Sequence, residues 1–287
     1  MRHRLDLRIG PVSFRIGSQW AEPLDRLRRL YATYPEADPI SDFTVRLEPE
    51  HAWRRWVRPS VAIKGDYVLP DAAPLSLAHG LLAAEMGMNL QMALGQKHYL
   101  LLHAATVERD GRALLMTGES GAGKSTLAAL LGERGWRLMG DEFALLDLGD
   151  FTLRAFPRAI SLKNQAIGLF DGVEPDRLGP MLEGTPKGTI RHLRPNAEAV
   201  ARMDETARPV LILFPRFGVG LEPAVRPVGT AETFVRLTQA STNYVQLGEA
   251  GFDALNALLR AAPARAVDYP DTGSAVALVE ELWSRAG

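Results

Sequence analysis

The stretch Gly118-Glu119-Ser120-Gly121-Ala122-Gly123-Lys124-Ser125-Thr126 decides how the rest of the chain is interpreted. It fits G-x-x-x-x-G-K-[ST], the pattern of a phosphate-binding loop. Residues 112–117 before it form a short apolar run, which predicts a strand. Residues 125–134 after it carry leucines at helical spacing and are followed by Gly135, which predicts a helix with a defined end. A strand, a glycine-rich turn and a helix are the context that this pattern requires.

Each residue type in this loop has a physical reason. Glycines allow the backbone to curl until successive N–H groups point into one concavity at the positive end of the following helix. Lys124 can then reach the β- and γ-phosphates of ATP, and the Ser125 hydroxyl can join the Mg²⁺ that bridges them. Thr126 has no assigned chemistry beyond the helix start. Ser120 does not complete the G-x-S-x-G turn of a hydrolase, because the fifth position is Ala122.

Composition narrows the class of protein. The 287 residues are enough for one large domain or two smaller ones. The 33 basic and 34 acidic residues nearly cancel, so we expect no nucleic-acid partner and no membrane attraction. Without cysteine there are no disulfides, thiolate metal sites or cysteine nucleophiles. Charged residues at 2–6 and polar residues within 75–94 argue against a secretion signal and a membrane span, so we expect a cytoplasmic protein.

Residues 1–74 are predicted to form a smaller β-rich N-terminal subdomain, and residues 75–287 the catalytic domain. In the first part, alternating residues predict strands at 5–9, 12–16, 43–47 and 61–63, with a helix at 23–31. Its three tryptophans (Trp20, Trp53 and Trp56) and many arginines indicate either packing on the catalytic part or substrate docking. The second part is predicted to begin with one long helix at 75–96 and a strand at 99–107, broken by His103, that turns at 108–111 into the loop strand.

Acidic residues follow the next predicted strand, at 136–140. Asp141 and Glu142 stand at its carboxyl end, where an open α/β sheet collects its ligands. A carboxylate there can hold Mg²⁺ or accept a proton from an attacking hydroxyl, although a solvated turn is the alternative. Arg158 and Lys163 are candidate cations for the transferring phosphoryl group.

The remainder completes an α/β pattern. The glycine-rich basic segment 184–194, with Lys187 and Arg191, is predicted to be a mobile loop. Strands are predicted at 210–214 and 266–269 and helices at 231–240, 249–261 and 275–283. Asn243 and Tyr244 lie between helices, where a turn role is favoured over a contact with substrate.

Three features together resemble a known family. His103 lies 21 residues before Lys124, and Asp141 and Glu142 lie 17 and 18 residues after it. Residues 137–142, Arg-Leu-Met-Gly-Asp-Glu, are similar to an Arg-Leu-x-x-Asp-Asp segment. The arrangement over residues 100–147 resembles the catalytic core of the HPr kinase/phosphorylases, with Glu142 in place of the second aspartate.

This resemblance implies a phosphoenolpyruvate-carboxykinase-like P-loop fold with a mixed sheet, and transfer of a phosphoryl group to a serine hydroxyl. If the roles of the family's residues apply to the matching positions here, Lys124 and Ser125 hold the phosphates and the metal ion. Asp141 is then the base, and Glu142 is its partner at the metal or the nucleophile. His103 becomes a charge or hydrogen-bond partner of the acidic pair. HPr kinases form hexamers, so a homo-oligomer is compatible with the resemblance, although no stretch demands an interface.

Two departures narrow the resemblance. Thr126 stands where HPr kinases carry glutamate, and no E-x-R-G-x-G segment follows. The chain is therefore more similar to HPr kinase-related proteins, including kinases of ribosomally made precursor peptides such as lasso-peptide precursors. We expect an ATP- and Mg²⁺-dependent kinase for a serine or threonine hydroxyl of a peptide or small protein. The alternatives are a nucleotide-binding switch or scaffold and a small-metabolite kinase.

Overall fold

The computed structural model describes residues 1–37 and 39–286, in which most of the predicted runs form the expected elements. The strands are β1 (His3–Ile9), β2 (Val12–Ser18), β3 (Phe43–Pro49), β4 (Ser60–Gly65), β5 (Leu75–Ser76), β6 (Tyr99–Leu102), β7 (Ala104–Arg109), β8 (Arg112–Thr117), β9 (Arg137–Gly140), β10 (Ala144–Asp147), β11 (Leu153–Arg154), β12 (Ile160–Lys163), β13 (Leu182–Thr185), β14 (Gly188–Leu193), β15 (Arg208–Phe217), β16 (Ala224–Val228) and β17 (Ala264–Tyr269). The α-helices are α1 (Ala21–Leu30), α2 (Gly80–Gly95), α3 (Lys124–Gly132), α4 (Ala197–Ala201), α5 (Thr230–Ala240), α6 (Tyr244–Leu247), α7 (Glu249–Ala261) and α8 (Thr272–Arg285). Short 3₁₀ turns add Ala52–Arg55, Leu77–His79, Asn164–Phe170 and Pro175–Arg177.

The chain divides into two compact units, and each unit is made from two segments of sequence. The first unit contains residues 1–96 and 159–194, and the second contains residues 97–158 and 195–287. This division differs from the predicted boundary at residue 75, because α2 packs on strands β3 and β4 of the first unit. Gly87 permits that packing, since a Cβ there would lie 2.5 Å from a methyl carbon of Val45.

The first unit is built on a five-stranded sheet in the order β1-β2-β3-β4-β5. Strands β2 and β3 are parallel, and the other neighbouring pairs are antiparallel. Helix α1 buries Leu24, Leu27 and Leu30, at the three-residue spacing that faces a sheet. A separate antiparallel sheet in the order β12-β14-β13 completes the unit.

The second unit is built on a six-stranded mixed sheet in the order β16-β17-β15-β8-β7-β9. Strand β8 is parallel to β15, which is parallel to β17. Strand β7 is antiparallel to both β8 and β9, so β9 runs in the same direction as β8. The carboxyl ends of β8, β9, β15 and β17 therefore meet at one edge, together with the amino end of β7.

Both faces of this sheet are covered. Helices α3 and α8 contact one another on one face. On the other face, apolar residues of the sheet, α5, α7 and the small sheet β11-β10-β6 share one core cluster, which includes Leu115, Ile212, Leu237 and Leu255. This arrangement belongs to the mixed α/β class that the sequence predicts. Within residues 1–37 and 39–286, helices of the length and apolarity that crossing a bilayer requires do not occur.

Three local predictions are wrong. The run 99–107 forms two strands, since β6 and β7 belong to different sheets and the chain changes sheet at His103. The predicted helix 75–96 begins only at Gly80, because residues 75–76 pair with β4 as a short edge strand. The segment 184–194 is not a mobile loop but part of the hairpin of β13 and β14. In each case pairing with another strand overrides the local pattern.

A buried ion pair lies at the end of the second unit's sheet that is far from the glycine-rich turn between β8 and α3. The Glu108 and Arg137 side chains are each 1% exposed and are in direct contact. Glu108 Oε1 also accepts the Gly111 N–H at 2.6 Å. Arg137 Nη1 donates to the carbonyl oxygens of Arg202 and Glu205 at 2.9 and 3.2 Å. The pair thus joins the β7–β8 hairpin, β9 and the segment before β15.

We expect Glu108→Gln to lower the free energy of unfolding by about 3 kcal/mol, because it leaves a buried guanidinium without its counter-charge. Urea unfolding followed by tryptophan fluorescence measures this loss. Glu280→Gln is the matched control: Glu280 also pairs with an arginine, Arg109, but is 40% exposed. Its loss should be about 1 kcal/mol or less. Equal losses in the two variants would contradict the role assigned to burial.

Candidate functional site

The turn between β8 and α3 has the backbone that a phosphate-binding loop requires. Gly118, Gly121 and Gly123 have φ angles of 148°, 87° and 92°, which side chains other than glycine rarely adopt. Helix α3 begins at Lys124, directly after the turn. The N–H groups of the first helical turn therefore face the same edge of the sheet as the loop. The predicted strand, turn and helix are all present.

The Lys124 side chain folds back over this turn. Its Nζ donates to the carbonyl oxygens of Gly118 and Glu119 at 2.7 and 2.9 Å. Lys124 is only 8% exposed, and Ser125 and Thr126 beside it are partly exposed. The ammonium group thus lies across the mouth of the turn, where an anion that enters would meet it.

The acidic pair lies at the same edge, beyond the end of β9. Asp141 is buried, with 3% of its surface exposed. Glu142 follows it with a φ angle of 76°, which is uncommon for a residue with a side chain. Such a conformation costs about 1–3 kcal/mol and tends to persist where function requires it. Glu142 Oε2 lies 3.5 Å from His103 Nδ1.

His103 occupies the point at which the chain crosses from the small sheet to the six-stranded sheet. The main-chain N–H of His103 donates to the carbonyl oxygen of Ala240 at 2.7 Å. Its own carbonyl oxygen accepts the Thr117 hydroxyl at 2.9 Å. Thr117 is the last residue of the strand that leads into the loop. The structure therefore places His103 next to both the loop strand and Glu142.

The predicted cations separate into two groups. Arg158 is buried in the second unit. Phe156 pairs in parallel with Gly140, the last residue of β9. Residues 157–158 therefore run in the same direction as Asp141 and Glu142, which follow β9. The first unit contains the other three, Lys163, Lys187 and Arg191. Lys163 ends β12, and Lys187 lies in an exposed hairpin turn. Arg191 Nε donates to the Gly179 carbonyl oxygen at 3.0 Å. Their predicted role in phosphoryl transfer stays a prediction.

Asn243 and Tyr244 contact backbone and core atoms. Asn243 is buried, and its side chain accepts the Leu101 N–H at 3.0 Å and donates to the Tyr99 carbonyl oxygen at 2.8 Å. It thereby satisfies the free edge of β6 as another strand would. The Tyr244 ring packs against Phe234, with 6.2 Å between the ring centroids.

Two aromatic residues that the sequence did not predict as site residues hold the glycine-rich turn. Tyr269 Oη donates to the carbonyl oxygen of Ala122 at 3.1 Å. Burial raises the pKa of the Tyr269 phenol, so it remains a hydrogen-bond donor. The Phe217 ring lies 6.0 Å from the Tyr269 ring, measured between centroids. The available signal was position: each residue ends a strand that runs parallel to β8.

Arg216 and Asp268 directly precede these two aromatics in sequence, and both contribute to a cluster with Arg226 of β16. Arg216 donates to both carboxylate oxygens of Asp268, at 2.9 and 2.6 Å, and Arg226 donates to Oδ2 at 2.7 Å. The hydrogen bonds from Arg226 and Arg216 lower the pKa of the Asp268 carboxyl to about 2. Two guanidinium groups and one carboxylate give this end of β15 and β17 a net positive charge.

Comparison with known proteins gives limited matches. A family model described as SynChlorMet cassette protein ScmC matches residues 81–175, which is about a third of the chain. No curated protein matches. Among solved structures, the HPr(Ser) kinase/phosphatase from Coxiella burnetii is similar at 16% identity with a TM-score of 0.29, covering 64% of this chain and 94% of that chain. A TM-score of this size gives no support for the fold or the function, which rest on the residues described above.

If the turn binds ATP with Mg²⁺, as the sequence predicts, Gly123→Ala should weaken that affinity by about tenfold or more, equivalent to at least 1.4 kcal/mol. The new Cβ would lie 2.6 Å from Tyr269 Oη at a φ angle of 92°, so either the turn or the tyrosine must move. Calorimetric titration measures the change. Gly111→Ala is the control, because its φ angle is 74° but no atom lies within 4 Å of its Cβ. Unchanged affinity in folded Gly123→Ala protein would contradict the role of the Tyr269 contact.

We expect Asp268→Asn to be less stable than the unchanged chain at neutral pH by about 1–2 kcal/mol, a value limited by solvent around the exposed arginines. Because the pKa of Asp268 is depressed when folded, its contribution is present above the ordinary aspartate pKa of about 3.9 and is lost as the pH falls towards 2. Urea unfolding at neutral pH and at about pH 3 should show the difference shrinking. The exposed Asp253, changed to Asn, is the control. A pH-independent difference would contradict this assignment.

Proposed function

We propose that this chain is a kinase that transfers the γ-phosphoryl group of ATP to a serine or threonine hydroxyl of a peptide or small protein. The observation that carries the proposal is the shared edge of the six-stranded sheet. The glycine-rich turn with Lys124 lies there, and so do Asp141, Glu142 and His103. An anion-binding turn beside a buried carboxylate is the pairing that phosphoryl transfer to an alcohol requires.

The residues of the turn fit a triphosphate. The amides of residues 118–126 and the start of α3 supply N–H donors, and Lys124 exchanges its two backbone carbonyl contacts for phosphate oxygens. Such an exchange keeps the ammonium group hydrogen-bonded before and after binding. Lys124 then neutralises the charge that builds up during transfer.

The oxygen donors near the turn fit Mg²⁺. Ser125, Asp141 and Glu142 supply a hydroxyl and two carboxylates. In the part of the chain that the structure describes, no group of three or more histidine, aspartate or glutamate residues could hold a metal ion by itself. Mg²⁺ is usually held by one or two carboxylates, phosphate oxygens and water, and Ser125, Asp141 and Glu142 offer ligands of that kind. When bound, Mg²⁺ would supply charge neutralisation at the β- and γ-phosphates.

The acidic pair fits the activation of an acceptor hydroxyl. Asp141 takes the proton as the hydroxyl oxygen forms its bond to the γ-phosphorus, and the bond from that phosphorus to the β-γ bridging oxygen breaks to release ADP. Glu142 is a partner at the metal or at the nucleophile, and His103, 3.5 Å away, orients its carboxylate. Buried Arg158, which follows the strand segment beside Gly140, is the candidate for a further positive charge.

Two alternatives use the same turn. A nucleotide-binding switch or scaffold would bind ATP and transfer nothing, and a small-metabolite kinase would phosphorylate a free acid or amino acid. The buried Asp141 and the strained Glu142 next to His103 favour catalysis over a switch, since a switch needs no base. Labelled ATP separates the three readings: label appears in the peptide, in a metabolite, or only as bound nucleotide.

We expect Asp141→Asn still to bind ATP with Mg²⁺, because Lys124, Ser125 and the turn are intact, but to slow phosphoryl transfer to the acceptor by about a hundredfold or more, the usual scale for a general base. Lys124→Ala should lose both nucleotide affinity and transfer, because it removes the ammonium group from the turn. Calorimetric titration measures the first property, and labelled ATP with candidate acceptor peptides measures the second.

The matched control for Asp141→Asn is Asp253→Asn, which removes an exposed carboxylate on α7 and should change neither property. Circular dichroism shows whether each variant is folded. Full transfer by folded Lys124→Ala protein would exclude this site, and absence of any nucleoside triphosphate affinity in the unchanged chain would exclude the whole proposal.

A further inference from the structure

An exposed group of aromatic and basic residues lies between β3 and β4 of the first unit. We call it the Trp53–Arg58 patch, and it comprises Trp53, Arg54, Arg55, Trp56, Val57 and Arg58. Trp53 and Trp56 are 52% and 72% exposed, and Val57 is exposed too. The Trp20 indole N–H donates to the Arg55 carbonyl oxygen at 3.1 Å, which fixes this turn to the start of α1. Adjacent large apolar side chains held at the surface are typical of an interaction site.

The arginines of the patch are not neutralised. Arg54, Arg55 and Arg58 form no ion pair with any residue in the described parts of the chain. Other arginines of the same unit do pair with carboxylates, namely Arg4, Arg15, Arg26, Arg28 and Arg46. The Arg54 and Arg55 guanidinium groups lie over the rings of Trp53 and Trp56, at 4.5 and 5.3 Å from the centroids. The patch therefore presents positive charge on an aromatic platform.

A cavity of about 530 Å³ adjoins the patch. Its charged lining residues are Arg54, Arg58 and Glu50, so the lining carries a net positive charge. Its wall continues to Ser60 of β4 and to β5, the edge strand of the five-stranded sheet. Arg54 Nε and Ser60 Oγ, both on lining residues, have no hydrogen-bond partner among the described residues. The guanidinium groups of Arg54 and Arg58 are the charged donors that this lining presents to hydrogen-bond acceptors on a ligand.

We propose that the Trp53–Arg58 patch and its cavity dock an acidic and apolar segment of the peptide or small protein that this chain phosphorylates. Carboxylates of the segment pair with Arg54 and Arg58, and apolar side chains pack on Trp53 and Trp56. Tryptophan and arginine are the residues that most often carry binding energy at interfaces. This inference rests on the proposed function for the identity of the partner, but not for the chemistry of the binding site.

Charge complementarity selects this occupant. Unpaired guanidinium groups bind carboxylates strongly and in a fixed geometry. The edge strand β5 also offers backbone groups along which an extended segment can lie. An extended peptide that alternates acidic and apolar residues meets both conditions, because its alternate side chains point to opposite sides.

The experiment uses short fluorescein-labelled peptides that alternate glutamate with leucine or phenylalanine, and the full chain. Fluorescence anisotropy should show binding that weakens with added salt. The double variant Arg54→Gln/Arg58→Gln should bind about tenfold more weakly or worse, and so should Trp56→Ala. The charge-matched control Arg2→Gln/Arg28→Gln removes two exposed arginines elsewhere in the same unit and should bind as the unchanged chain does.

Several outcomes would overturn the inference. The first two concern the peptide: the Arg54→Gln/Arg58→Gln variant binds it as tightly as the control variant does, or a peptide with glutamine in place of glutamate binds the unchanged chain equally well. The other two concern the occupant: the patch binds single-stranded nucleic acid more tightly than the peptide, or sedimentation shows that a second copy of the chain covers the patch. Circular dichroism and urea unfolding should be unchanged in the patch variants, which shows that they are folded.

The two proposals fail separately. If the peptides bind at the patch but no phosphoryl group is transferred to any acceptor, the docking inference stands and the proposed function fails. If an acceptor is phosphorylated equally well by the Arg54→Gln/Arg58→Gln variant and by the unchanged chain, the proposed function stands and the docking inference fails. Lys124→Ala should retain peptide binding, since Lys124 belongs to the other unit.

Discussion

The hydrogen bond from Tyr269 Oη to the Ala122 carbonyl oxygen fastens the glycine-rich turn to β17, the last strand in the sequence. The contact exists only because Gly123 has no side chain, since a Cβ there would lie 2.6 Å from Tyr269 Oη. A turn of this kind has little conformational preference of its own. Its shape is therefore set by three neighbours: β8 before the turn, α3 after it, and Tyr269 through its hydrogen bond to Ala122. The positions of Lys124 and Ser125 at the start of α3 follow from that fixed turn.

The order of strands decides which other side chains share the edge with this turn. Strands β15 and β17 lie on one side of β8 and bring Arg216, Phe217 and Asp268. Strands β7 and β9 lie on the other side and bring His103 and the acidic pair. The loop strand is thus flanked by a positively charged side and a side that carries carboxylates. In the proposed kinase, the phosphates would lie at the centre and the acceptor hydroxyl would arrive from the acidic side.

The sequence predicts the parts of this site that are local. The turn, its strand and helix, and the acidic pair after β9 follow from spacing within residues 112–142, about a tenth of the chain, and the structure contains each of those elements. Tyr269 could not be found in this way, because it is 147 residues from Ala122 and its contact depends on strand order. The division into units also eluded prediction, since residues 159–194 return to the first unit after the second has begun. A single break in an apolar run, at His103, gave no sign that the two halves pair with different sheets.

The crossing of the chain at His103 has a mechanical consequence. The strands on both sides of it are paired, β6 with β10 and β7 with β8 and β9. Its main-chain groups are bonded to Ala240 and Thr117 as well. Translation of the imidazole would therefore disrupt two sheets at once, whereas rotation about its side-chain torsions disrupts neither. Any adjustment of the distance between His103 and Glu142 therefore takes place by rotation about the side-chain torsions. The backbone of both sheets stays in place.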